Sequence, residues 1–158
     1  MDSEAKIYLE RAGNEILLSE NDMRMSIDKE IKKFLGIPIE KTFFNSVISH
    51  AYYAIFYAAK AYLKSLNIKT SPPEEHKKTY EEFKKIVDSG KLDKQLLEIY
   101  ETESTKAESL LDILLTEKRK RGLFTYNVKS EANIPYAKES INNSVKFLSL
   151  IKLILEKS

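Results

Sequence analysis

The densest run of apolar and aromatic residues lies between residues 45 and 62 and predicts the central helix of the fold. Apolar residues recur there at three- and four-residue steps, as on one side of an α-helix. They cover more than half of the helix circumference, so the helix must be buried on more than one side. We expect it to run from about Glu40 to about Leu66. Its apolar stripe consists of Phe44, Val47, Ile48, Ala51, Ile55, Ala58, Ala59, Tyr62, Leu63 and Leu66.

The N-terminal part of the chain predicts an amphipathic outer helix followed by a short, less regular one. Asp2 or Ser3 can cap the first helix with a side-chain oxygen. Between residues 26 and 39 a short helix would stop at Gly36, because Pro38 prevents its continuation. The stripe of the first helix consists of Ala5, Leu9, Ala12, Ile16 and Met23.

Two helices are predicted after the central one. The first starts at Pro73, because a first turn does not need the N–H that proline lacks, and it closes near Gly90. The second is long and runs from Leu92 to Arg121. The polar segment 101–106 interrupts its apolar stripe and favours a kink or break there.

A final helix begins at Asn133, with Pro135 in its first turn. Few glycines and prolines and long helical stripes predict an all-α, up-and-down bundle of four to five principal helices. Short connections favour antiparallel neighbours, and the length fits one domain over residues 1–158. The positions expected to be most buried are Phe44, Val47, Ile48, Ala51, Ile55, Ala58, Ala59, Leu63, Phe83, Leu110, Leu114, Ile141, Val145 and Leu148.

Charge and composition narrow the classes of function. The formal net charge is only +2, so the field of the whole molecule does not favour nucleic-acid or membrane binding. There is no cysteine, which excludes disulfides and thiolate chemistry. No uncharged apolar run reaches the ~18 residues that a bilayer span needs, and no leader pattern opens the sequence. We therefore expect a cytoplasmic protein.

The two histidines, His50 and His76, do not predict a metal site. Neither has a second ligand at the helical spacing of a recognised metal-binding pair. We expect no metal and no cofactor. His50 lies beside tyrosines on the central helix, where a hydrogen-bonded core or interface residue is more common than a catalyst.

One basic cluster, Lys118–Arg121, is followed by the aromatic and amide side chains of Phe124, Tyr126 and Asn127. The guanidinium group of arginine binds phosphate through two parallel hydrogen bonds, and aromatic rings can stack on bases. The cluster is therefore a candidate phosphate site. The alternative is a solvated helix end, where cations compensate the negative end of the helix dipole.

The central helix also carries a family resemblance, since it reads Ser49-His-Ala-Tyr-Tyr-Ala-Ile-Phe-Tyr-Ala-Ala-Lys-Ala-Tyr-Leu63. It resembles the central helix of the HEPN family, small helical domains named for nucleotide binding in higher eukaryotes and prokaryotes, here of the small stand-alone prokaryotic type. Glu75-His76 resembles the start of that family's next helix. Arg121-Gly-Leu-Phe-Thr-Tyr126 resembles its arginine-led motif. The resemblance covers about residue 42 to the C terminus.

In nuclease members of this family a histidine follows the arginine after a short spacer, and the paired motifs of a dimer form a metal-independent ribonuclease centre. Here Tyr126 occupies that position, whether the spacing is counted from Arg119 or Arg121. Tyrosine is a poor base near neutral pH, because its unperturbed pKa is about 10. The resemblance therefore implies a family member without the usual general base.

The leading functional interpretation is an interaction module without strong catalysis that binds nucleotide or RNA phosphate. By the resemblance, Arg121 would hold phosphate and Arg119 would support it, while Tyr126 and Tyr53 would offer stacking faces and Asn127 a hydrogen bond. The resemblance also implies a nucleotidyltransferase partner protein, as in a two-component toxin–antitoxin pair.

Two further expectations concern assembly and catalysis. A homodimer is expected, because the central helix has aromatic and small residues on more faces than one small bundle covers, and because HEPN-like proteins commonly pair there. The alternative function is a metal-independent endoribonuclease toxin acting at the dimer cleft. Its candidate catalytic residues are Arg121, His50 and Tyr126. His50 would be the proton acceptor, provided that the central helix brings it close to the Arg121 loop.

Overall fold

The computed structural model describes the backbone of residues 1–120 and 133–158 and the side chains of residues 1–111 and 133–158. Within these ranges the chain has six helices and no strand, which confirms the predicted all-α bundle. Five helices are long and one is short. None of the described helices is long and apolar enough to cross a membrane. The helices are α1 (Ser3–Ile27), α2 (Lys29–Leu35), α3 (Phe44–Ser65), α4 (Glu75–Asp88), α5 (Lys94–Lys120) and α6 (Ile134–Lys157).

The central helix of the bundle is α3, as predicted, and it packs against α1, α4, α5 and α6. Thirteen of its 22 residues are buried. It begins at Phe44 and not near Glu40. Ser26 Oγ accepts the backbone N–H of Phe43 at 2.7 Å, and the Pro38 carbonyl accepts that of Lys41, so the residues before Phe44 form a turn.

The boundaries of α1 and α2 follow the predicted caps. The Asp2 side chain accepts the N–H of Glu4 at 2.7 Å at the start of α1. Asp28 separates the two helices and caps α2. Gly36 ends α2 in the left-handed conformation, with φ of 71°, which confirms the predicted stop.

The turn between α2 and α3 is held by a buried lysine. The Lys32 side chain is only 3% exposed, and its Nζ donates to the carbonyl of Ile39 at 2.7 Å and to that of Lys41. A buried ammonium is tolerated only when its donors are satisfied. Lys32 thus holds the turn in place through hydrogen bonds to two of its carbonyl groups.

The start of α4 corrects the predicted helix start at Pro73. The helix begins at Glu75, and Glu74 before it has φ of 55° and ψ of 40°. This left-handed conformation cannot belong to a right-handed helix, so Pro73 lies outside it. At the other end α4 stops at Asp88, close to Gly90 as predicted, and Gly90 has φ of 86°.

Of the kink or break expected at 101–106, the break is wrong, because α5 continues through this segment as one helix. Two of its polar residues, Glu103 and Lys106, are buried against α6, and the others are exposed or half-buried. Lys106 Nζ donates to Ser140 Oγ at 3.2 Å and lies 3.3 Å from the Glu103 carboxylate, which accepts a bond from Asn143. Part of the polar interruption of the stripe is therefore a paired contact between two helices.

Most of the predicted core is buried, but Val145 is 41% exposed, so its prediction is wrong. The buried face of α6 instead runs through Ser140, Ser144 and Phe147, which are all 0% exposed. Serines were not counted as core residues in the sequence pattern, and this displaced the predicted stripe. Leu110 and Ile141 are only half-buried, and the side chain of Leu114 lies outside the described residues.

Small side chains close α1 onto α3. The two helices are antiparallel, because Glu4 reaches Lys64 at 3.0 Å while Ser19 lies at Val47. Ser19 Oγ donates to the Val47 carbonyl at 2.7 Å, so the helix backbones approach closely. We call this contact the small-residue seam. Buried residues recur along it every seventh position, as Ala5, Ala12, Ser19 and Ser26 on α1 and Val47, Ala54 and Ala61 on α3.

The placement of α4 is an exception to the antiparallel packing expected of neighbours. His76 stacks on Phe56 with ring centroids 3.9 Å apart, and Phe83, two turns later, lies against Tyr62 at 6.2 Å. α4 therefore runs in the same general direction as α3. The segment 66–74 connects the end of α3 to the start of α4. This brings the beginning of α4 beside the middle of α3.

Candidate functional site

A groove lies between the middle of α3, the start of α4 and one face of α5. It consists of two adjoining cavities, a wide part of about 760 Å³ and a narrow part of about 400 Å³. Tyr52, His76, Ser104 and Glu108 line both parts, and we call the whole the aromatic groove. The wide part is completed by Glu74, Glu75, Lys77, Tyr80, Glu101 and Thr105, and the narrow part by Ser49, Tyr53, Ala107, Leu110 and Leu111.

The wall between α3 and α4 is a cluster of rings around His76. Its imidazole is nearly parallel to the Phe56 ring, at an interplanar angle of 12°. Tyr53 meets it edge-on at 5.7 Å, and the Tyr52 hydroxyl shares a hydrogen bond of 2.9 Å with its Nδ1. Contacts on several sides fix the orientation of the imidazole. The cluster therefore presents a rigid aromatic surface to the groove.

His76 is a neutral ring at neutral pH. Burial lowers its pKa from the usual value of 6.5; Glu75 opposes the change, and the ammonium of Lys60 adds to it. A neutral imidazole can accept a hydrogen bond on one nitrogen and donate from the other. In this arrangement His76 serves as a stacking and hydrogen-bonding group.

Tyr52 and Tyr80 are protonated hydrogen-bond donors over the physiological range. Burial raises the pKa of Tyr52 to about 12, with smaller contributions from Tyr53 and Glu108. Burial and the bond to Glu101 raise the pKa of Tyr80 to about 12 as well. The Tyr80 hydroxyl donates to Glu101 Oε1 at 2.6 Å, so it also orients this carboxylate.

The two parts of the groove differ in charge. The wide part has the carboxylates of Glu74, Glu75, Glu101 and Glu108 against the single ammonium of Lys77. The narrow part has one carboxylate and is otherwise walled by aromatic, leucine and alanine side chains and two serines. Phosphate is unfavourable in the wide part because of repulsion by the carboxylates. A planar apolar group fits the narrow part.

A buried ion pair supports the α4 side of the groove. Lys60 is 8% exposed and forms a salt bridge with Glu75. Its Nζ also donates to the Thr70 carbonyl at 3.3 Å and lies 4.9 Å from the centre of the Tyr8 ring. One lysine thereby connects α3, α4, the segment between them and α1.

His50 lies against α1 and does not line the groove. Its Nδ1 is 2.5 Å from Glu15 Oε2, and its Nε2 is 3.8 Å from Asp22 Oδ2. Burial raises the pKa of Asp22, while His50 and a bond from Ser46 oppose the change. The expectation of a hydrogen-bonded histidine is confirmed, and the side chain remains 30% exposed.

Of the sequence-predicted binding residues, Tyr53 has a described side chain, and it lies in the groove. Tyr53 is 39% exposed at the narrow part. The side chains of Arg119, Arg121, Tyr126 and Asn127 lie outside the described residues. Tyr53 thus lines the groove while His50 contacts α1, and the arginine-led motif stays a prediction.

Sequence reasoning missed most of the groove, although α5 carries a signal for it. Polar or hydroxyl residues recur there at positions 101, 104, 105 and 108, the spacing of one helix face. A polar face flanked by an apolar stripe usually indicates contact with solvent. Only the position of the α4 rings shows that this face lines a cavity.

The part of the chain with described side chains has no group of three or more His, Asp and Glu residues arranged to hold a metal ion. A scan against protein-family models finds no match, and searches of curated proteins and of solved structures find none either. The likeness to HEPN domains thus depends on the residues themselves.

Proposed function

We propose that the chain is a HEPN-like interaction module that binds nucleotide or RNA, with a base in the narrow part of the aromatic groove. One observation carries the proposal: the exposed ring of Tyr53 lies edge-on to His76 at a cavity walled by Leu110 and Leu111. Base stacking on such rings is tolerant of sequence and contributes about 1–3 kcal/mol per base. The module binds without strong catalysis.

Phosphate is assigned to the basic end of α5. The carboxylates of the wide part exclude it from that half of the groove. The helical backbone of α5 continues to Lys120, and Arg119 follows Leu111 by eight residues, about 12 Å along the axis at 1.5 Å per residue. A short RNA segment can therefore extend along α5 from the base site toward position 119, and the role of Arg121 depends on the family resemblance.

The binding experiment uses fluorescence anisotropy with a labelled single-stranded RNA and, separately, a nucleotide. Tyr53→Ala is expected to weaken binding by the stacking contribution of about 1–3 kcal/mol. Arg121→Ala should weaken it at every sequence and reduce its dependence on salt. Leu17→Ala is the control, because this side chain is 59% exposed on α1 and does not line the groove. Absence of binding by the wild type would reject the proposal.

The nucleotidyltransferase partner belongs to the same proposal and depends on the family resemblance. The first observation is whether a small nucleotidyltransferase reading frame lies beside this one. Co-expression and purification of the two chains then tests the complex. If the two chains elute separately at micromolar concentration, the partner is excluded.

The homodimer is also retained as a proposal, but the surface it buries changes. One chain already buries thirteen of the 22 residues of α3, so α3 has little apolar surface left to share. Exposed apolar side chains instead cluster in sequence around α2, as Ile27, Phe34, Leu35 and Ile39. Light scattering tests the dimer. A mass near 18.3 kDa for the wild type would refute it, and Phe34→Glu should reduce a dimer to that mass.

The second candidate function, a metal-independent endoribonuclease, is favoured by the pairing of His50 with Glu15. A carboxylate that orients an imidazole is a recurrent feature of general bases. The assay is RNA cleavage in excess chelator by the wild type, Arg121→Ala, His50→Ala and Tyr126→His. No cleavage by the wild type would reject this function, whereas activity gained by Tyr126→His would identify a nuclease site that lacks only its base.

A further inference from the structure

The wide part of the aromatic groove has an excess of negative charge that the nucleotide proposal does not use. Four of its ten lining residues are glutamates, and Lys77 is the only lysine or arginine among them. Lys60 compensates Glu75 from the protein interior. Three carboxylates, those of Glu74, Glu101 and Glu108, then face one ammonium. A cationic ligand is the electrostatic complement of this surface.

Aromatic side chains also line the wide part of the groove. Tyr52, Tyr80 and His76 border the same cavity as the carboxylates. The face of an aromatic ring attracts an ammonium or guanidinium group, and the attraction is larger where water is displaced. Neither phenol is ionised at neutral pH, so the tyrosines act through their ring faces and hydroxyl groups.

The spacing of the carboxylates on α5 selects an elongated cation. Glu108 follows Glu101 by seven residues, which places both on one helix face about 10.5 Å apart along the axis. The hydroxyls of Ser104 and Thr105 lie between them in the lining. Tyr80 holds Glu101 in place from α4. Two positive charges joined by an apolar chain match this order of groups.

A buried hydroxyl beneath the same cavity lacks a partner. Tyr100 is 0% exposed, and its hydroxyl makes no hydrogen bond to any residue that the structure describes. Its ring meets that of Tyr80 at 5.5 Å, and Tyr52 and Tyr80 both contribute to raising its pKa, after burial as the main cause. The unpartnered hydroxyl therefore belongs to the buried layer of rings that contacts Tyr80, one of the lining residues.

We propose that the wide part of the aromatic groove binds a linear aliphatic polyamine, with one ammonium at Glu101 and a second at Glu108. A volume of about 760 Å³ is within the range of small-molecule sites. The ligand is cationic, so this is a second site and goes beyond the nucleotide proposal. A basic peptide has similar charges, but it would need an extended docking surface beyond the cavity.

The test is isothermal titration calorimetry on the full chain with butylamine, putrescine and spermidine as probes. Affinity is expected to rise in that order, because only the longer amines reach both carboxylates. Glu101→Gln and Glu108→Gln should each weaken spermidine binding by about tenfold, the loss of one charged contact. Glu98→Gln, an exposed position on the same helix outside the lining, should leave it unchanged. Circular dichroism confirms that each variant is folded.

The outcomes separate this proposal from the nucleotide site. Tyr53 lines only the narrow part, so Tyr53→Ala should not change spermidine binding. The nucleotide site and the polyamine site can therefore fail independently in these tests. Equal binding of butylamine and spermidine, or equal effects of Glu98→Gln and Glu101→Gln, would overturn the polyamine site. Tighter binding of a tri-lysine peptide than of spermidine would also overturn it, because the cavity would then be part of a peptide surface.

Discussion

The two sides of α3 differ, and the difference lies in side-chain size. On the α1 side, Ala54, Ala61 and the facing Ala12 are each 0% exposed, and Ser19 reaches the α3 backbone directly. On the α4 and α5 side, large rings such as Tyr52 lie between the helices and leave the aromatic groove open. Small residues let helices close, and rigid rings separate them.

The apolar stripe of α3 predicts burial but not the type of packing. The sequence pattern shows α3 as one wide apolar surface, which is correct for burial. It does not show which part of that surface is sealed and which borders a cavity. A recurrence of small residues every seventh position, in α1 and again in α3, distinguishes the sealed side.

The variant with the largest expected effect, Phe83→Ala, tests whether the rings on the groove side of α3 form a packed core. Phe83 of α4 is 0% exposed and contacts Tyr62, Tyr100 and Phe147. Phe83→Ala is expected to lower the free energy of unfolding by about 3–5 kcal/mol, because it removes a fully buried ring and leaves a cavity. Urea denaturation followed by circular dichroism measures it.

The control for this variant is Leu17→Ala, since the Leu17 side chain is 59% exposed on α1. It should change the free energy of unfolding by no more than about 0.5 kcal/mol. A loss below about 1 kcal/mol in Phe83→Ala would mean that the ring cluster under the groove is not a packed core.

Two alanine-to-leucine variants compare the packing of the small-residue seam with that of the aromatic groove. Ala54→Leu places a larger side chain in the small-residue seam and should cost about 1–3 kcal/mol of unfolding free energy by overpacking. Ala107→Leu makes the same change at the narrow part of the groove, where space exists, and should cost less than about 0.5 kcal/mol. Similar losses in the two variants would contradict the distinction between seam and groove.

Removal of the unpaired hydroxyl beneath the groove is expected to have a smaller effect. Tyr100→Phe keeps the ring and deletes a buried group without a described hydrogen-bond partner. The variant should equal the wild type in unfolding free energy or exceed it by up to about 1 kcal/mol, because a desolvated polar group is removed. A loss of more than about 1 kcal/mol would show that the hydroxyl is hydrogen-bonded in solution.

The smallest expected effect is a pH dependence from His76. Its pKa in the folded chain is below the value of 6.5 that applies when it is exposed. Just below pH 6.5 the unfolded chain therefore binds more protons, so the unfolding free energy falls as pH decreases through this window. Urea midpoints at pH 5.5 and 7.5 should differ more in the wild type than in His76→Phe. An equal pH dependence in both proteins would exclude the contribution of His76.

The fold followed from the sequence because its signals are local and repeated. The stripe of α3, the cap at Asp2 and the stop at Gly36 each depend on neighbouring residues, and all three are observed. The errors at Pro73 and Val145 have different origins. At Pro73 the left-handed backbone of the next residue, Glu74, delays the helix start, whereas at Val145 the buried serines of α6 turn a different face of the helix toward the rest of the bundle.

The site was harder to predict because it is assembled from three helices. Tyr53 was identified as a stacking residue, but its partner His76 is 23 positions away and meets it only because α4 returns beside the middle of α3. Glu101 and Glu108 read as ordinary solvated residues of a helix. Periodicity assigns a residue to a face and gives no information about what stands opposite.

Three lysines are buried among the residues with described side chains, Lys32, Lys60 and Lys106, and they can serve as local probes. Each is at most 8% exposed, and each holds a different junction: the turn before α3, the start of α4 and the contact of α5 with α6. An amine-acylating reagent reacts quickly with exposed lysines but reaches these three only when their junction opens. Mass spectrometry of the acylation time course would therefore rank the opening rates of three parts of one bundle in a single experiment, without any substitution.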